Sequence, residues 1–210
     1  GLNMQAFKRL VKLAFLALTL PLYLLYLLFS QLGNADGVFT SFSQGLSLMP
    51  GKFGVYIRAA FYRLACPATS DEISVGFLTI LSHRDTSIAM GVYIGPQCNI
   101  GMCSIGENTL IGSGVHILSG SRQHDFKDIQ KPIQDQGGAY EKIRVGADCW
   151  LGNTSLVMAD LEDHSILAAG SVLTKPSARG DILVGNPAKC INNRFKPNSP
   201  SSPESTKGLE

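Results

Sequence analysis

The stretch that decides the fold runs from Ile88 to Leu118 and reads IAMGVYIGPQCNIGMCSIGENTLIGSGVHIL. Isoleucine recurs in it with a spacing of six residues and one step of five, at positions 88, 94, 100, 105, 111 and 117. A period of six is neither the 2.0 of a strand nor the 3.6 of a helix. A six-residue repeat instead predicts a β-helix, in which each hexapeptide forms one side of a coil and points its aliphatic residue inward.

The repeat is interrupted once and then resumes. Residues 119–142 contain no six-residue period, and the repeat returns at Val145, Leu151 and Val157. After a disturbance at 161–165, the pattern predicts Ile166 and Val172 as the last inward residues. Before the regular repeat, residues 70–85 are expected to form an irregular first coil with Ile73, Val75 and Ile80 pointing inward. A segment that leaves and rejoins the same repeat is a projecting loop, and such loops commonly carry function.

Composition excludes several classes of protein. The 210 residues have a formal charge of +2, with 16% charged and 45% hydrophobic residues, so the strongly basic stripe of a nucleic-acid-binding protein is not expected. Five cysteines, an odd number without a CxxC pair, argue against a disulfide framework and a zinc ribbon. This cysteine usage suits a reducing, cytosolic setting.

The amino-terminal segment, residues 1–32, is expected to associate with a membrane. Lys8, Arg9 and Lys12 precede an uncharged, leucine-rich run from Leu13 to Phe29 that contains Pro21. The favoured interpretation is a re-entrant or interfacial helix kinked at the proline, with its basic end in the cytosol. A transmembrane helix and a buried core helix are the alternatives.

Three further segments follow. Residues 33–70 are predicted to form a Gly/Ser-rich linker with loose strands, followed by a short amphipathic helix. Its apolar positions are Phe53, Ile57, Phe61 and Leu64, and Arg58, Tyr62 and Arg63 lie on another face. That helix either packs against the domain that follows or lies on a membrane with its basic residues near lipid phosphates. Residues 71–192 form the repeat domain with its loop at 119–142, and the Pro/Ser-rich tail 193–210 is expected to be disordered.

Several motifs resemble a known family. The Ile-Gly repeats, the loop bearing His124, and then VGADCWLG, AAGSVLTK and VGNPAK in this order resemble the hexapeptide-repeat acyltransferases. Most similar is the branch of maltose, galactoside and exopolysaccharide O-acetyltransferases, over roughly residues 73–194. The resemblance implies an all-β domain, a left-handed parallel β-helix, that assembles as a homotrimer and binds acetyl-CoA in clefts between subunits. Since acetyl-CoA is a cytosolic donor, the implied location is the cytoplasmic face of the bacterial inner membrane.

The resemblance also implies roles for individual residues. His124 occupies the place of the family's catalytic histidine, and a neutral imidazole suits a general base. Residues with weaker support as acceptor contacts are His83, Asp125 and Trp150. Residues matching the family's CoA contacts are Asn153, Ala169, Thr174, Lys175, Lys189 and Arg194. No metal is expected.

These observations predict an acetyl-CoA-dependent O-acetyltransferase acting on a sugar hydroxyl of a cell-surface polysaccharide or of its lipid-linked or nucleotide-sugar precursor. The membrane segment motivates that acceptor, because an anchored enzyme can meet lipid-linked glycans. An N-acetyltransferase of an amino sugar and a serine acetyltransferase remain alternatives. Less favoured are a metal enzyme of the γ-carbonic anhydrase type, for which the histidine spacing is unsuitable, and a non-catalytic β-helix scaffold.

Overall fold

The computed structural model describes residues 3–196, which form three α-helices followed by a ladder of short strands, with a short 3-10 helix (Ile133–Asp135) in the loop at 119–142. The helices are α1 (Met4–Ser30), α2 (Ala35–Ser47) and α3 (Gly51–Ala65). The strands are β1 (Ser74–Val75), β2 (Ile80–Leu81), β3 (Ser87–Ile88), β4 (Tyr93–Ile94), β5 (Asn99–Ile100), β6 (Cys103–Ile105), β7 (Leu110–Ile111), β8 (His116–Ile117), β9 (Ile143–Val145), β10 (Trp150–Leu151), β11 (Leu156–Val157), β12 (Ile166–Leu167), β13 (Val172–Leu173), β14 (Asp181–Gly185) and β15 (Ala188–Asn193).

The strands form the three faces of a parallel β-helix. Face 1 contains β1, β4, β7, β10, β12 and β14, with β15 added antiparallel at its end. Face 2 contains β2, β5, β8, β11 and β13, and face 3 contains β3, β6 and β9. The chain visits the faces in the order 1, 2, 3, so each coil stacks on the previous one through parallel pairing. The β-helix predicted from the six-residue period is thus present.

The aliphatic ladder fills the bore of this β-helix. All six isoleucines of the 88–117 stretch are at most 3% exposed. The sequence-based assignment is wrong for the last coils and in part of the first: Ile166, Val172 and Ile80 lie half-buried on the outside, and the next residues, Leu167, Leu173 and Leu81, point inward. The spacing explains the wrong assignment in the last coils. Leu161 is the inward residue after Val157, and the six-residue period continues from Leu161 to Leu167 and Leu173.

The chain as a whole is not all-β, because three helices precede the first coil. The prediction of a linker with loose strands is wrong, because these residues contain α2. Asn34 caps this helix, its Oδ1 accepting from the backbone N–H groups of Asp36 and Gly37. Phe39 and Leu46 are buried on one side of it, so tertiary packing overrides a composition poor in helix formers.

α1 is one continuous helix and passes through Pro21. The hairpin-like, re-entrant form predicted from that proline is therefore wrong; the proline removes one backbone hydrogen bond, and the turns on either side keep theirs. A buried core helix is also excluded, because Thr19 and Tyr26 are its only fully buried residues among those described. By length and mean hydropathy (2.1) the helix could cross a membrane.

α3 packs against the β-helix rather than exposing its polar face. The buried Arg58 guanidinium donates to the carbonyls of Leu46 and Met49 at the end of α2 and of Val75 in β1. Gly54 makes this approach feasible, since a Cβ there would lie 1.9 Å from the Met49 oxygen. Tyr62 is buried as well. The membrane-surface interpretation of α3 is thus wrong for Arg58 and Tyr62, although Arg63 remains exposed.

The β-helix ends in the antiparallel hairpin β14–β15. The turn at Gly185 contains a cis peptide bond before Pro187. The predicted disordered tail 193–210 starts too early, because Asn193 is the last residue of β15 and Arg194 N–H donates to the Gly180 carbonyl. Residues 197–210 lie outside the described residues.

Candidate functional site

A cavity of about 330 Å³ lies on the outside of face 2. Its floor is formed by three adjacent strands, in which Ile80, Asn99 and His116 stand opposite one another. Each of these residues precedes an inward aliphatic residue, and its own side chain therefore points outward. The pairing places consecutive floor residues about 5 Å apart. The carboxyl-terminal ends of the same strands, at Ser82, Gly101 and Ser119, form one edge of the cavity.

His83 stands at this edge with a fixed orientation. Its Nδ1 lies 2.8 Å from the Ser82 hydroxyl oxygen, which can also donate to the Ile100 carbonyl at 3.3 Å. The His83 ring packs against Tyr140, with 5.5 Å between ring centroids. When the serine donates to the carbonyl, it accepts from Nδ1–H, and Nε2 is then left as a free acceptor. The predicted acceptor contact His83 therefore lies in the cavity of its own chain.

The excursion at 119–142 covers the cavity. It leaves after β8 and returns to β9 as a hairpin-like arm, in which Asp125 N–H donates to the Gly137 carbonyl and Ala139 N–H to the Arg122 carbonyl. Arg122 also forms an ion pair with Glu141. Gln123 and Tyr140, one from each side of the arm, line the cavity.

His124 follows Gln123 directly and is exposed on the arm. Its backbone is held by the opposite side of the arm, because a Cβ on Gly138 would lie 2.0 Å from the Gln123 carbonyl oxygen and 2.8 Å from the His124 nitrogen. Only glycine fits there. The arm thus brings the predicted base next to a cavity-lining residue, while the His124 ring itself faces solvent in the isolated chain.

The other predicted acceptor contacts lie elsewhere. Asp125 is exposed on the outer part of the arm, and Trp150 is 52% exposed on face 1, a different face from the cavity. Among residues 3–196 no group of three or more His, Cys, Asp or Glu side chains is placed to hold a metal ion.

Some of the predicted CoA contacts share one corner of the β-helix. Asn153 and Ala169 occupy the corner between faces 1 and 2 in consecutive coils, where Gly170 N–H donates to the Asn153 carbonyl. The Asn153 side chain accepts from Ser113 N–H at 3.0 Å. The turn before Lys189 reaches the same corner, since Gly185 N–H donates to the Ser171 hydroxyl. This corner presents small side chains and backbone groups in a row.

The remaining predicted CoA contacts lie on other corners. Thr174 and Lys175 are exposed on the corner between faces 2 and 3. Arg194 lies on the corner between faces 3 and 1, where its guanidinium donates to the His164 carbonyl at 3.0 Å and approaches the Asp148 carboxylate at 3.3 Å. Its observed contacts therefore fasten the carboxyl-terminal hairpin to the preceding coils.

Sequence reasoning missed most of the cavity. The missed lining residues with polar side chains are Ser82, Asn99, His116, Ser119, Gln123 and Tyr140. One signal was available: Asn99 and His116 both precede the inward isoleucine of their repeat, so both had to point outward from adjacent coils. The contributions of Gln123 and Tyr140 depend on how the arm folds back, which no local spacing specifies.

Comparisons with known proteins agree with this fold. Residues 142–175 match the family described as hexapeptide repeat of succinyl-transferase. The bifunctional protein GlmU of Streptococcus agalactiae is 29% identical over 139 residues, which cover 63% of this chain and 30% of that protein. The chain spans less than half the length of the first curated relatives it matches.

Solved structures of other proteins share the architecture. A maltose O-acetyltransferase from Clostridium difficile 630 superposes with a TM-score of 0.65 at 18% identity, covering 77% of this chain and 89% of that one. A hexapeptide-repeat acetyltransferase from Vibrio cholerae, solved with acetyl-CoA, gives a TM-score of 0.61 at 16% identity, with coverages of 75% and 87%. The resemblance to hexapeptide-repeat acetyltransferases is confirmed, and the fold is that of their left-handed β-helix.

Proposed function

We propose that the protein is an acetyl-CoA-dependent O-acetyltransferase that modifies a sugar hydroxyl of a cell-surface polysaccharide or of its lipid-linked or nucleotide-sugar precursor. The observation that carries this proposal is the cavity on face 2, covered by the arm that bears His124, on a fold shared with acetyltransferases. The cavity provides a place for the acceptor, and the arm provides a base beside it.

His124 acts as general base in the proposed reaction. Its neutral imidazole accepts the proton of the sugar hydroxyl as that oxygen bonds to the thioester carbonyl carbon. The tetrahedral intermediate then collapses, the carbon–sulfur bond breaks, and the departing CoA thiolate takes the proton from the imidazolium. Such base catalysis contributes about 10²–10⁴-fold, and no covalent enzyme intermediate is needed.

The chemistry of the cavity favours a neutral, hydroxyl-rich acceptor group. Its lining offers two imidazoles, the amides of Asn99 and Gln123, the Tyr140 phenol and the hydroxyls of two serines. These groups can both donate and accept hydrogen bonds, as a sugar ring requires. Among the described residues that line it, none is Asp, Glu, Lys or Arg, so the cavity lacks the cation that phosphate recognition uses.

For the donor, the corner between faces 1 and 2 is the proposed path of the pantetheine arm. Small residues such as Ala169 let an extended chain approach the backbone, and Asn153 offers a polar contact. Lys189, exposed after the turn that reaches this corner, is the proposed partner of the CoA phosphates. Thr174, Lys175 and Arg194 lie on other corners, so their predicted CoA contacts are not part of this path within one chain.

A homotrimer is the proposed assembly. On face 1, Tyr93, Leu110 and Trp150 stand opposite one another in adjacent coils and are 45%, 46% and 52% exposed. They form an apolar stripe along the outside of the β-helix, which a second copy of the chain could cover. In the proposed trimer, the His124 arm of one copy would have to lie near the donor path of the next for the base and the thioester to meet.

Membrane association on the cytoplasmic face of the bacterial inner membrane completes the proposal. The basic residues at the start of α1 agree with a cytosolic amino terminus, and acetyl-CoA is available on that side. There the enzyme would meet lipid-linked glycans before export.

The experiment that tests the function compares wild type with His124→Ala, using acetyl-CoA and a panel of free sugars, nucleotide sugars and lipid-linked glycans. His164→Ala is the matched control, because that histidine lies on another corner and pairs with Asp148. We expect His124→Ala to lose about 10²–10⁴-fold in kcat/KM, and the control to stay near wild type. Equal activity of His124→Ala and wild type would contradict the assigned base.

The stability of the product separates the alternatives. An O-acetyl ester is released by mild base, whereas an amide survives it. A base-stable product would favour an N-acetyltransferase, and transfer to serine alone would favour a serine acetyltransferase. If the purified protein transfers no acetyl group but contains zinc, a metal enzyme of the γ-carbonic anhydrase type would be favoured. If it neither transfers acetyl groups nor binds zinc, a non-catalytic β-helix scaffold would be favoured.

A further inference from the structure

One side of α1 exposes an apolar strip that runs the length of the helix. Its exposed members are Phe7, Leu10, Leu13, Leu18, Leu24, Leu25, Leu28 and Phe29, and Leu32 is exposed just beyond the end of the helix. No charged residue occurs from Leu13 to Ala35. At 1.5 Å per residue the strip from Phe7 to Phe29 is about 33 Å long. Soluble monomers rarely expose contiguous apolar patches beyond a few hundred Å², so this strip requires a partner.

The opposite side of α1 is fastened to the body of the protein at both ends. Near the amino terminus, the Arg9 guanidinium bonds the Asp71 carboxylate at 2.8 Å and Lys12 Nζ bonds the Asp71 carbonyl at 2.6 Å. Near the carboxyl terminus, Tyr26 is buried against Phe39 and Phe61. A helix crossing the bilayer would carry Asp71 and the adjoining coil into hydrocarbon or would have to break these contacts.

α2 widens the apolar surface. Two open hollows lie between α1 and α2, with volumes of about 410 and 430 Å³. Phe29, Val38 and Phe42 are among the residues that line the first, and Leu22 and Leu46 are among those of the second. Both hollows adjoin the strip.

We infer that this strip and the two hollows rest on a lipid bilayer, with α1 lying in the plane of the interface rather than crossing it. Charge supports lipid as the occupant, because Lys8 and Lys52 are exposed near the amino-terminal half of the strip, where anionic headgroups would neutralise them. The stripe on face 1 already provides an apolar surface for a second copy, so oligomerisation does not require the α1 strip.

This orientation fixes how far the acceptor cavity lies from the membrane. The side of α2 facing away from the strip contacts the cavity edge, where Thr40 Oγ1 donates to the Ser82 carbonyl at 2.9 Å and Leu81 N–H donates to Ser43 Oγ at 2.8 Å. One helix thus separates the bilayer surface from Ser82, a distance of about 10 Å. Resting on the proposed function, the acceptor is a lipid-linked glycan whose modified ring stands within about one helix diameter of the headgroups.

The binding test uses the full chain with phospholipid vesicles in flotation. The variant is Leu18→Glu/Leu25→Glu, at strip positions 59% and 43% exposed. The matched control is Met90→Glu, on an equally exposed apolar side chain (49%) of the β-helix. We expect the double variant to lose at least about tenfold in vesicle partitioning and the control to float like wild type. Vesicles containing anionic lipid should bind more strongly than zwitterionic ones. Equal flotation of variant and wild type would overturn the inference.

A labelling test distinguishes an α1 helix that lies in the membrane interface from one that crosses the bilayer. It remains informative even if the double variant misfolds. Lys8→Cys and Gln31→Cys are introduced one at a time in a Cys190→Ser background. Cys190 is removed because it is the exposed native thiol and would itself be labelled. A membrane-impermeant maleimide outside sealed vesicles should label both sites when α1 lies in the interface. Labelling of one and protection of the other would show a crossing helix and refute the proposed orientation.

Activity distinguishes this inference from the proposed function. With a soluble acceptor, the double variant should acetylate like wild type; with a lipid-linked acceptor in vesicles, its rate should fall with the lost partitioning. If the wild type acetylates no acceptor of either kind, the proposed function fails while the flotation result stands. If the double variant acetylates the lipid-linked acceptor in vesicles as fast as the wild type does, the inference about the lipid-linked acceptor fails and the proposed function stands.

Discussion

Replacing Arg58 by alanine should release the helices from the β-helix. This fully buried guanidinium donates to three carbonyls, of Leu46, Met49 and Val75, at 2.7–3.0 Å. Hydrogen bonds to a charged group contribute about 1.5–3 kcal/mol each, and the three sum to several kcal/mol before the cost of burying the cation is subtracted. That cost is real, since burial lowers the pKa of the Arg58 guanidinium. Each buried carbonyl left without its donor costs about 1–3 kcal/mol, so we expect Arg58→Ala to lose a few kcal/mol in all.

The measurement is the free energy of unfolding from urea titration in mild detergent. Arg58→Lys should fall between wild type and Arg58→Ala, because an ammonium can reach some of the three carbonyls. The control is Arg63→Ala, an exposed arginine on the same helix, which should change stability by less than about 0.5 kcal/mol. A loss below about 1 kcal/mol for Arg58→Ala, or equal losses for both alanine variants, would refute the assignment of Arg58 as the link between α2, α3 and β1.

Three further outcomes are expected. Ile100→Ala should cost about 2–5 kcal/mol of unfolding free energy. Leu110→Ala, on the outward stripe, should instead weaken the proposed homotrimer in analytical ultracentrifugation, and similar unfolding costs for the two variants would contradict the inward–outward assignment. One thiol, Cys190, should react quickly with an aromatic disulfide reagent and all five after unfolding, because the other four are buried and burial raises the pKa of two of them to about 12; fast reaction of a second native thiol would contradict this packing. Hydrogen bonds from His164 and Arg194 lower the pKa of Asp148, so its contribution to stability is present above the ordinary value of 3.8 and is lost as pH falls through the lower folded pKa. Asp148→Asn should therefore lower Tm near neutral pH but not in strong acid, and an unchanged gap in acid would contradict that titration.

The β-helix could be predicted because its signal is repeated. Each coil needs an aliphatic residue at a fixed interval. Six isoleucines spaced at about six residues are not expected in other folds. The prediction failed where two aliphatic residues stand side by side, at Ile166–Leu167 and Val172–Leu173. Hydrophobicity alone cannot tell which member of such a pair points inward, and the four-residue step from Val157 to Leu161 displaced the count.

α2 could not be predicted for a different reason. Its thirteen residues include glycines and serines that favour loops in isolation, and its stability comes from contacts distant in sequence. The cavity depends on distant contacts in the same way, since its floor comes from three coils and its cover from an arm whose course is set by the pairing of Gly137 and Ala139 with residues upstream. His124 could be singled out only because the resemblance placed it; its surroundings required the fold.

The small residues of α2 have a further physical meaning. Ser43 is fully buried, and its hydroxyl contacts both the Tyr62 hydroxyl at 2.7 Å and Leu81 N–H at 2.8 Å. A larger side chain there would push α2 away from β2 and from α3 together. The same composition that suggested a linker therefore allows a helix to fit between the apolar strip and the cavity edge. Because Ser43 bonds Leu81 in β2 and Thr40 bonds Ser82 directly after it, a shift of α2 would move the cavity edge. The apolar strip and the candidate acceptor site are thus coupled mechanically through one helix.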